Sequence, residues 1–168
     1  MIKKMVAVCF AISVVLFGNI AVNAENNNEA YLGNMAYRPI EWNTRSQLGR
    51  KYCQLRGGEY ASDAGIYAET LKMTGHVVGD LNGDGIPDAI VVLVHSFGGS
   101  GSVLQMAAVI GYPGRRLEHV ASINLGKGVH VIYVDIGRGG KIEVKLTTDD
   151  NLISCRTYHF RGNRITKG

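Results

Sequence analysis

Beyond residue 60 the hydrophobic and polar positions of this chain alternate with a period of two. Ile142, Val144 and Leu146 take one side of a segment whose other side is Lys141, Glu143 and Lys145. That is the pattern of a strand with one face buried. Leu104, Met106, Ala108 and Ile110 mark one face of another strand, and Leu117, His119, Ala121 and Ile123 mark a face of the next. Tyr67, Glu69, Leu71 and Met73 share a side earlier in the chain. Two runs are apolar on both sides. Ala89–Val94 reads as a buried strand and Val129–Ile136 as a central one.

Turn residues separate these segments at Gly98–Gly101, Pro113–Gly114, Gly126–Gly128 and Gly137–Gly140. Gly162 and Asn163 close a last hairpin between 154–161 and 164–166. Turns recur about every 8–12 residues, a spacing of antiparallel β structure rather than βαβ units. No helical period competes after Gly65. Earlier, Lys51–Arg56 reads as a strand closed by Gly57 and Gly58, and a short helix is expected near Thr44–Gly49. The fold expected is mainly β: a single antiparallel β-sandwich or open barrel over residues 31–168.

The first 24 residues stand apart. Lys3 and Lys4 precede an almost unbroken apolar run from Met5 to Phe17, and Val22-Asn23-Ala24 ends it with small residues where signal peptidase cuts. The run is short for a membrane span of about 20 residues. Residues 1–24 are therefore expected to be a cleaved signal peptide, 25–30 a disordered linker, and the product periplasmic or secreted, with no stable membrane span after cleavage. Cleavage changes the charge. Losing Lys3 and Lys4 from 18 basic residues leaves 16 against 14 acidic ones, a net of +2, too small to argue for nucleic acid. It also removes Cys9, leaving Cys53 and Cys155, which in an oxidising compartment are expected to form one disulfide.

The densest chemistry is Asp80–Asp88, DLNGDGIPD, immediately before the apolar run at Ala89. Oxygen-bearing side chains fall at Asp80, Asn82, Asp84 and Asp88, with Gly83 and Gly85 permitting the bends a hard cation needs. The opening matches an EF-hand loop, but the twelfth position is Val91 rather than a bidentate Glu, and Pro87 forbids an exiting helix. On those residues the segment resembles the calcium loops of FG-GAP and VCBS-type repeats, in which D-x-[DN]-x-D-G-x-x-D joins two strands. The resemblance implies Ca²⁺ held structurally by Asp80, Asn82, Asp84, the carbonyl of Ile86, and Asp88. Affinity of about 10⁻⁴–10⁻³ M is expected without a bidentate Glu. It covers one copy only, so the repeated propellers of those families do not carry over.

Elsewhere His76, His95, His119, His130 and His159 show no zinc-ligand spacing. His95 and the serines of Gly98–Ser102 lack the G-x-S-x-G elbow of a serine hydrolase. The basic residues from Arg138 to Lys167 read as solvated strand edges. The function expected is an exported, calcium-stabilised, non-enzymatic binding or envelope-associated module with an unidentified protein or envelope partner. The alternatives are an inhibitor or effector presenting the Gly98–Ser102 loop to a hydrolase, and a Ser/His hydrolase.

Overall fold

A computed structural model describes residues 29–40, 52–62, 68–97, 101–114 and 116–168. In chain order its strands are β1 (Ala36–Tyr37), β2 (Cys53–Gln54), β3 (Glu59–Ala61), β4 (Glu69–Gly79), β5 (Asp88–Phe97), β6 (Ser102–Tyr112), β7 (Arg116–Lys127), β8 (Val129–Gly137), β9 (Lys141–Thr148), β10 (Ile153–Arg161) and β11 (Arg164–Lys167). They pair antiparallel into a five-stranded sheet in the order β3-β4-β5-β6-β7, a four-stranded sheet β11-β10-β9-β8, and the pair β1-β2. None of these sheets closes into a barrel.

The five-stranded sheet is covered on both sides. From one face Ile90, Val92, Leu104 and Met106 pack on Ile142, Val144, Leu146, Tyr158 and Phe160 of the four-stranded sheet. From the other, Ala89, Val91, Leu93, Ala107 and Val109 pack on Leu32, Tyr37, Cys53 and Leu55. This is why the run after Asp88 is apolar at every position. β5 and β6 have no solvent face to spend polar residues on, and each fully buried aliphatic side chain adds about 1.5–3 kcal/mol over an exposed one. The second cover is held by polar contacts as well. Gln105, fully buried, accepts from the Ile40 amide at 2.9 Å and donates to the Ile40 carbonyl at 3.1 Å. Its side chain thereby satisfies both backbone groups of Ile40 as a strand neighbour would.

β-Bulges account for where alternation misleads. β7 pairs Val109 with His119 but Ala108 with Ala121, so Val120 is an extra residue. Leu117 therefore packs with the cluster containing Val109, whereas Ala121 and Ile123 pack toward the four-stranded sheet. The four residues read as one face divide between two. A second bulge leaves Leu125 extra, and its carbonyl accepts from Arg156 of β10, tying the sheets together there. β8 is a correction of the same kind. Val129–Ile136 forms an edge strand, not a central one. Its ladder skips Ile132, so apolar residues fall on both parities although Ile132 and Tyr133 are exposed.

The Cys53–Cys155 disulfide is also overturned: no such bridge forms. Cys53 is buried beneath one face of the five-stranded sheet. Cys155 lies on β10 beyond the other face, where Tyr158 and Phe160 turn inward and the odd-numbered Cys155 turns out to solvent. A whole sheet separates the two. One helical turn spans residues 29–32, entering a stretch whose composition reads as linker, and Leu32 at its end is buried. The expected leader at 1–24 and the helix near Thr44–Gly49 lie outside the described residues.

The turn between β8 and β9 is a 3-10 turn at Arg138–Gly140. Gly140 has φ +74°, and a Cβ there would sit 2.5 Å from the Phe160 carbonyl oxygen and 2.7 Å from that of Leu81. Gly139 has φ +68° with nothing within 4 Å. Gly140→Ala should therefore cost about 3 kcal/mol or more in chemical denaturation, against about 1 kcal/mol for Gly139→Ala. Equal losses would show that backbone conformation alone, not close packing, selects glycine here.

Candidate functional site

The acidic segment forms the connection between β4 and β5, as its sequence implies. Its first half is closed by side chains that accept from backbone amides. Asp80 accepts from Gly83 at 2.6 Å and from Gly85 at 3.0 Å. Asn82 Oδ1 accepts from Asp84 at 2.9 Å, and Asp84 Oδ1 accepts from Ile86 at 2.8 Å. Asn82 Nδ2 also donates to Asp84 Oδ2 at 2.8 Å. Asp80, Asn82 and Asp84 are exposed. Gly83 and Gly85, at φ +83° and +79°, make these tight turns possible.

Asp88 behaves differently. It is 1% exposed, and its carboxylate accepts from the amides of Leu81 at 2.8 Å, Asn82 at 3.3 Å and Gly111 at 2.8 Å. Burial raises its pKa above the usual carboxylate value, opposed by these three bonds, with the nearby Asp84 charge adding to the rise. Gly111 makes the approach possible, since any Cβ there would run into the Pro87 carbonyl oxygen. The sequence marks Gly111 only as a glycine inside a strand pattern, itself a signal of close backbone approach.

The five residues expected to hold calcium are thus split. Three side chains and Ile86 sit at the outer loop, while Asp88 is turned inward onto β6. In donor chemistry the loop suits a hard cation. In arrangement, no group of three or more His, Cys, Asp or Glu side chains among the described residues stands together as a metal-holding set.

The buried histidines are structural in geometry. His95 is fully buried, with Nε2 3.0 Å from Glu69 Oε2 and Nδ1 without a hydrogen-bond partner. Burial lowers its pKa below 6.5, partly offset by the hydrogen bond and charge of Glu69. Near neutral pH the contact is accordingly a neutral imidazole donating to a carboxylate. His119 Nδ1 accepts from the Arg38 amide at 3.3 Å, and Nε2 lies 2.8 Å from Ser122 Oγ. Its pKa is lowered too, first by burial. Cys53 is pushed up to about 11 by burial and by the Glu69 charge, which keeps the thiol protonated and a poor nucleophile. Gly98, Gly99 and Ser100, the centre of the loop expected to meet a hydrolase, lie outside the described residues.

Among the described residues, the openings away from the acidic loop include a shallow groove bordered by Tyr31, Met35, Tyr52 and His119 and a crevice between β4 and β8. Set against protein-family models, curated proteins and solved structures, the chain has no match in any of the three.

Two outcomes follow from this geometry. Asp88→Ala strands three amides and should cost about 3 kcal/mol or more, whereas Asp84→Ala, measured with chelator present, should cost within about 1 kcal/mol. Equal losses would remove the distinction between anchor and outer loop. For pH, a histidine held neutral when folded leaves the unfolded chain binding more protons below 6.5. The His95 contribution is complete above pH 6.5 and falls as pH drops toward the folded value. Urea titrations from pH 7 to 5 should show that loss, and His95→Gln should make it shallower. An unchanged slope would contradict the assignment.

Proposed function

We propose that this chain is an exported β-sandwich domain that acts as a non-enzymatic binding or envelope-associated module. The observation that carries the reading is a gathering of large apolar side chains on one part of the four-stranded sheet. Ile132, Tyr133, Leu152 and Ile153 are 49%, 46%, 67% and 61% exposed. The ladder puts His130 opposite Thr147 and Thr147 opposite Ile153, so β8 and the start of β10 flank one short stretch of β9. Large exposed apolar side chains grouped on one part of a sheet in this way support its use as an interaction site. The burial of His95 against Glu69 supports the non-enzymatic part, because its ring has no exposed edge to offer a substrate.

Ca²⁺ belongs to this reading as a brace on the outer loop. Asp80, Asn82, Asp84 and the Ile86 carbonyl would contribute the exposed oxygens, and Asp84 would exchange its bond from Asn82 for the cation. Asp88 supports them from behind. The resemblance to FG-GAP and VCBS-type loops rests on the same residues.

Ile132→Ser with Ile153→Ser should abolish recovery of an envelope partner that the wild-type chain retains, without lowering the melting temperature. Retention by the double variant would contradict the reading. For the cation, 10 mM Ca²⁺ at a Kd of about 10⁻⁴–10⁻³ M should stabilise the wild type by about 1.4–2.7 kcal/mol. Asp84→Ala should show no such gain. Identical melting in calcium and in chelator would remove calcium from the proposal.

A further inference from the structure

Asn82 and Gly83 form the one Asn-Gly pair in the chain. Both residues are exposed in the turn between β4 and β5. A carboxamide followed by glycine can close on the next main-chain nitrogen, because glycine has no side chain to crowd the imide ring that forms. The approach is open here, since a Cβ at Gly83 would meet nothing within 4 Å.

The groups around this pair stand where that closure needs them. Gly83 N–H donates to Asp80 Oδ1 at 2.6 Å, so a carboxylate already holds the proton that must leave the attacking nitrogen. That N–H lies in the peptide plane, whereas the attacking electrons stand perpendicular to it, so the two do not compete. Asn82 Oδ1 accepts from the Asp84 amide at 2.9 Å. This bond curls the carboxamide back toward the Gly83 peptide and sets a donor on the oxygen where negative charge develops. Asn82 Nδ2, the leaving nitrogen, donates to Asp84 Oδ2 at 2.8 Å. Behind them the Asn82 amide is tied to buried Asp88 at 3.3 Å. Holding the reacting groups in one arrangement removes part of the entropic barrier to closure.

Asn124 supplies the contrast. It is exposed, and its Oδ1 accepts from the Gly126 amide at 2.8 Å, the same side-chain turn. The residue that follows it is Leu125, which is buried. Asn124 has the curled carboxamide without the glycine.

We propose that Asn82 is a self-modifying site, converted through a cyclic imide to aspartate and isoaspartate. As the bond from Gly83 N to Asn82 Cγ forms, the Gly83 proton passes to Asp80. As the Cγ–Nδ2 bond breaks, that proton departs with Nδ2 as ammonia and Asp80 is regenerated. Solvent water then opens the imide. Addition at Cγ gives aspartate; addition at the main-chain carbonyl carbon of residue 82 gives isoaspartate, in which the backbone runs through the former side chain. One water enters and one ammonia leaves, and no oxidant or reductant is required. Either product removes the Nδ2 donor that faces Asp84 and adds a negative charge to the outer loop. Asp88 and its three amides are not consumed, so the inner corner is retained. The reaction needs no cation and goes beyond the binding-module reading.

The test incubates the full chain in mildly alkaline buffer, folded or unfolded in urea, with chelator present throughout. Ammonia release is followed together with peptide mapping by mass spectrometry, using fragmentation that distinguishes isoaspartate from aspartate. Conversion at Asn82 should run at least tenfold faster than at Asn124, and faster in the folded chain than in the unfolded one. Asp80→Asn keeps an oxygen to accept from Gly83 but removes the base. It should slow conversion at least fivefold, with the fold intact by circular dichroism. Slower conversion in the folded chain than in urea, equal rates at Asn82 and Asn124, or Asp80→Asn converting as fast as the wild type overturns the proposal. Because chelator is present in every arm, failure here and failure of the calcium reading are separate results.

Discussion

The carboxylate of Asp88 adds side-chain bonds across three neighbouring parts of the five-stranded sheet that the strand ladders already join. It stands at the first residue of β5, takes two amides from the turn leaving β4, and takes a third from Gly111 near the end of β6. Isolated burial of a carboxylate is strongly unfavourable, and charge-assisted bonds from three backbone donors are what offset it. The same contact fixes where the chain reverses and sets the register between β4 and β5. Leu81, fixed beside it, is 1% exposed and belongs to the core shared with the four-stranded sheet.

From that corner the packing follows. Leu81 offers its carbonyl close to Gly140, so the turn joining β8 to β9 can nest against the acidic segment only with glycine at that place. The sheets are consequently pressed together at the Gly79–Ile136 end and diverge away from it. Sealing at one end and opening at the other are two aspects of one geometry. The second cover on the central sheet, anchored by Gln105 and by His119, leaves β5 and β6 no wet face, and this is why polar groups there are held in specific pairs. Glu69 with His95 is one; Gln105 with the Ile40 backbone is another.

Much of this was legible in the residues, and the failures are instructive. Strand periodicity located β9 with its inward Ile142, Val144 and Leu146, and the unbroken apolar run located β5. The acidic motif was rightly set between two strands. Asp88 groups with the other oxygens by spacing within nine residues, which does not show that its carboxylate also accepts from Gly111, 23 positions away. Parity failed wherever a bulge adds a residue, as at Val120 and Ile132, because a single insertion exchanges the two faces of everything after it. The disulfide expectation rested on count and compartment, and neither carries the information that a sheet lies between the two cysteines. The N-terminal cover escaped notice because short pieces around Leu32, Tyr37 and Leu55 have no period to detect.

Function enters through what this architecture leaves incomplete: an outer loop rich in exposed oxygens, and a pair of sheet edges that part where apolar side chains reach solvent. Both depend on the Asp88 corner being rigid by itself, with any cation adding to an existing scaffold. The most direct test is amide hydrogen exchange of Leu81 and Gly111, followed in chelator and in calcium. Strong protection of both amides in chelator, well above that of exposed Asp84, is the predicted result. Exchange of Leu81 and Gly111 as fast as Asp84 until calcium is added would contradict it, because the corner would then be a product of the metal.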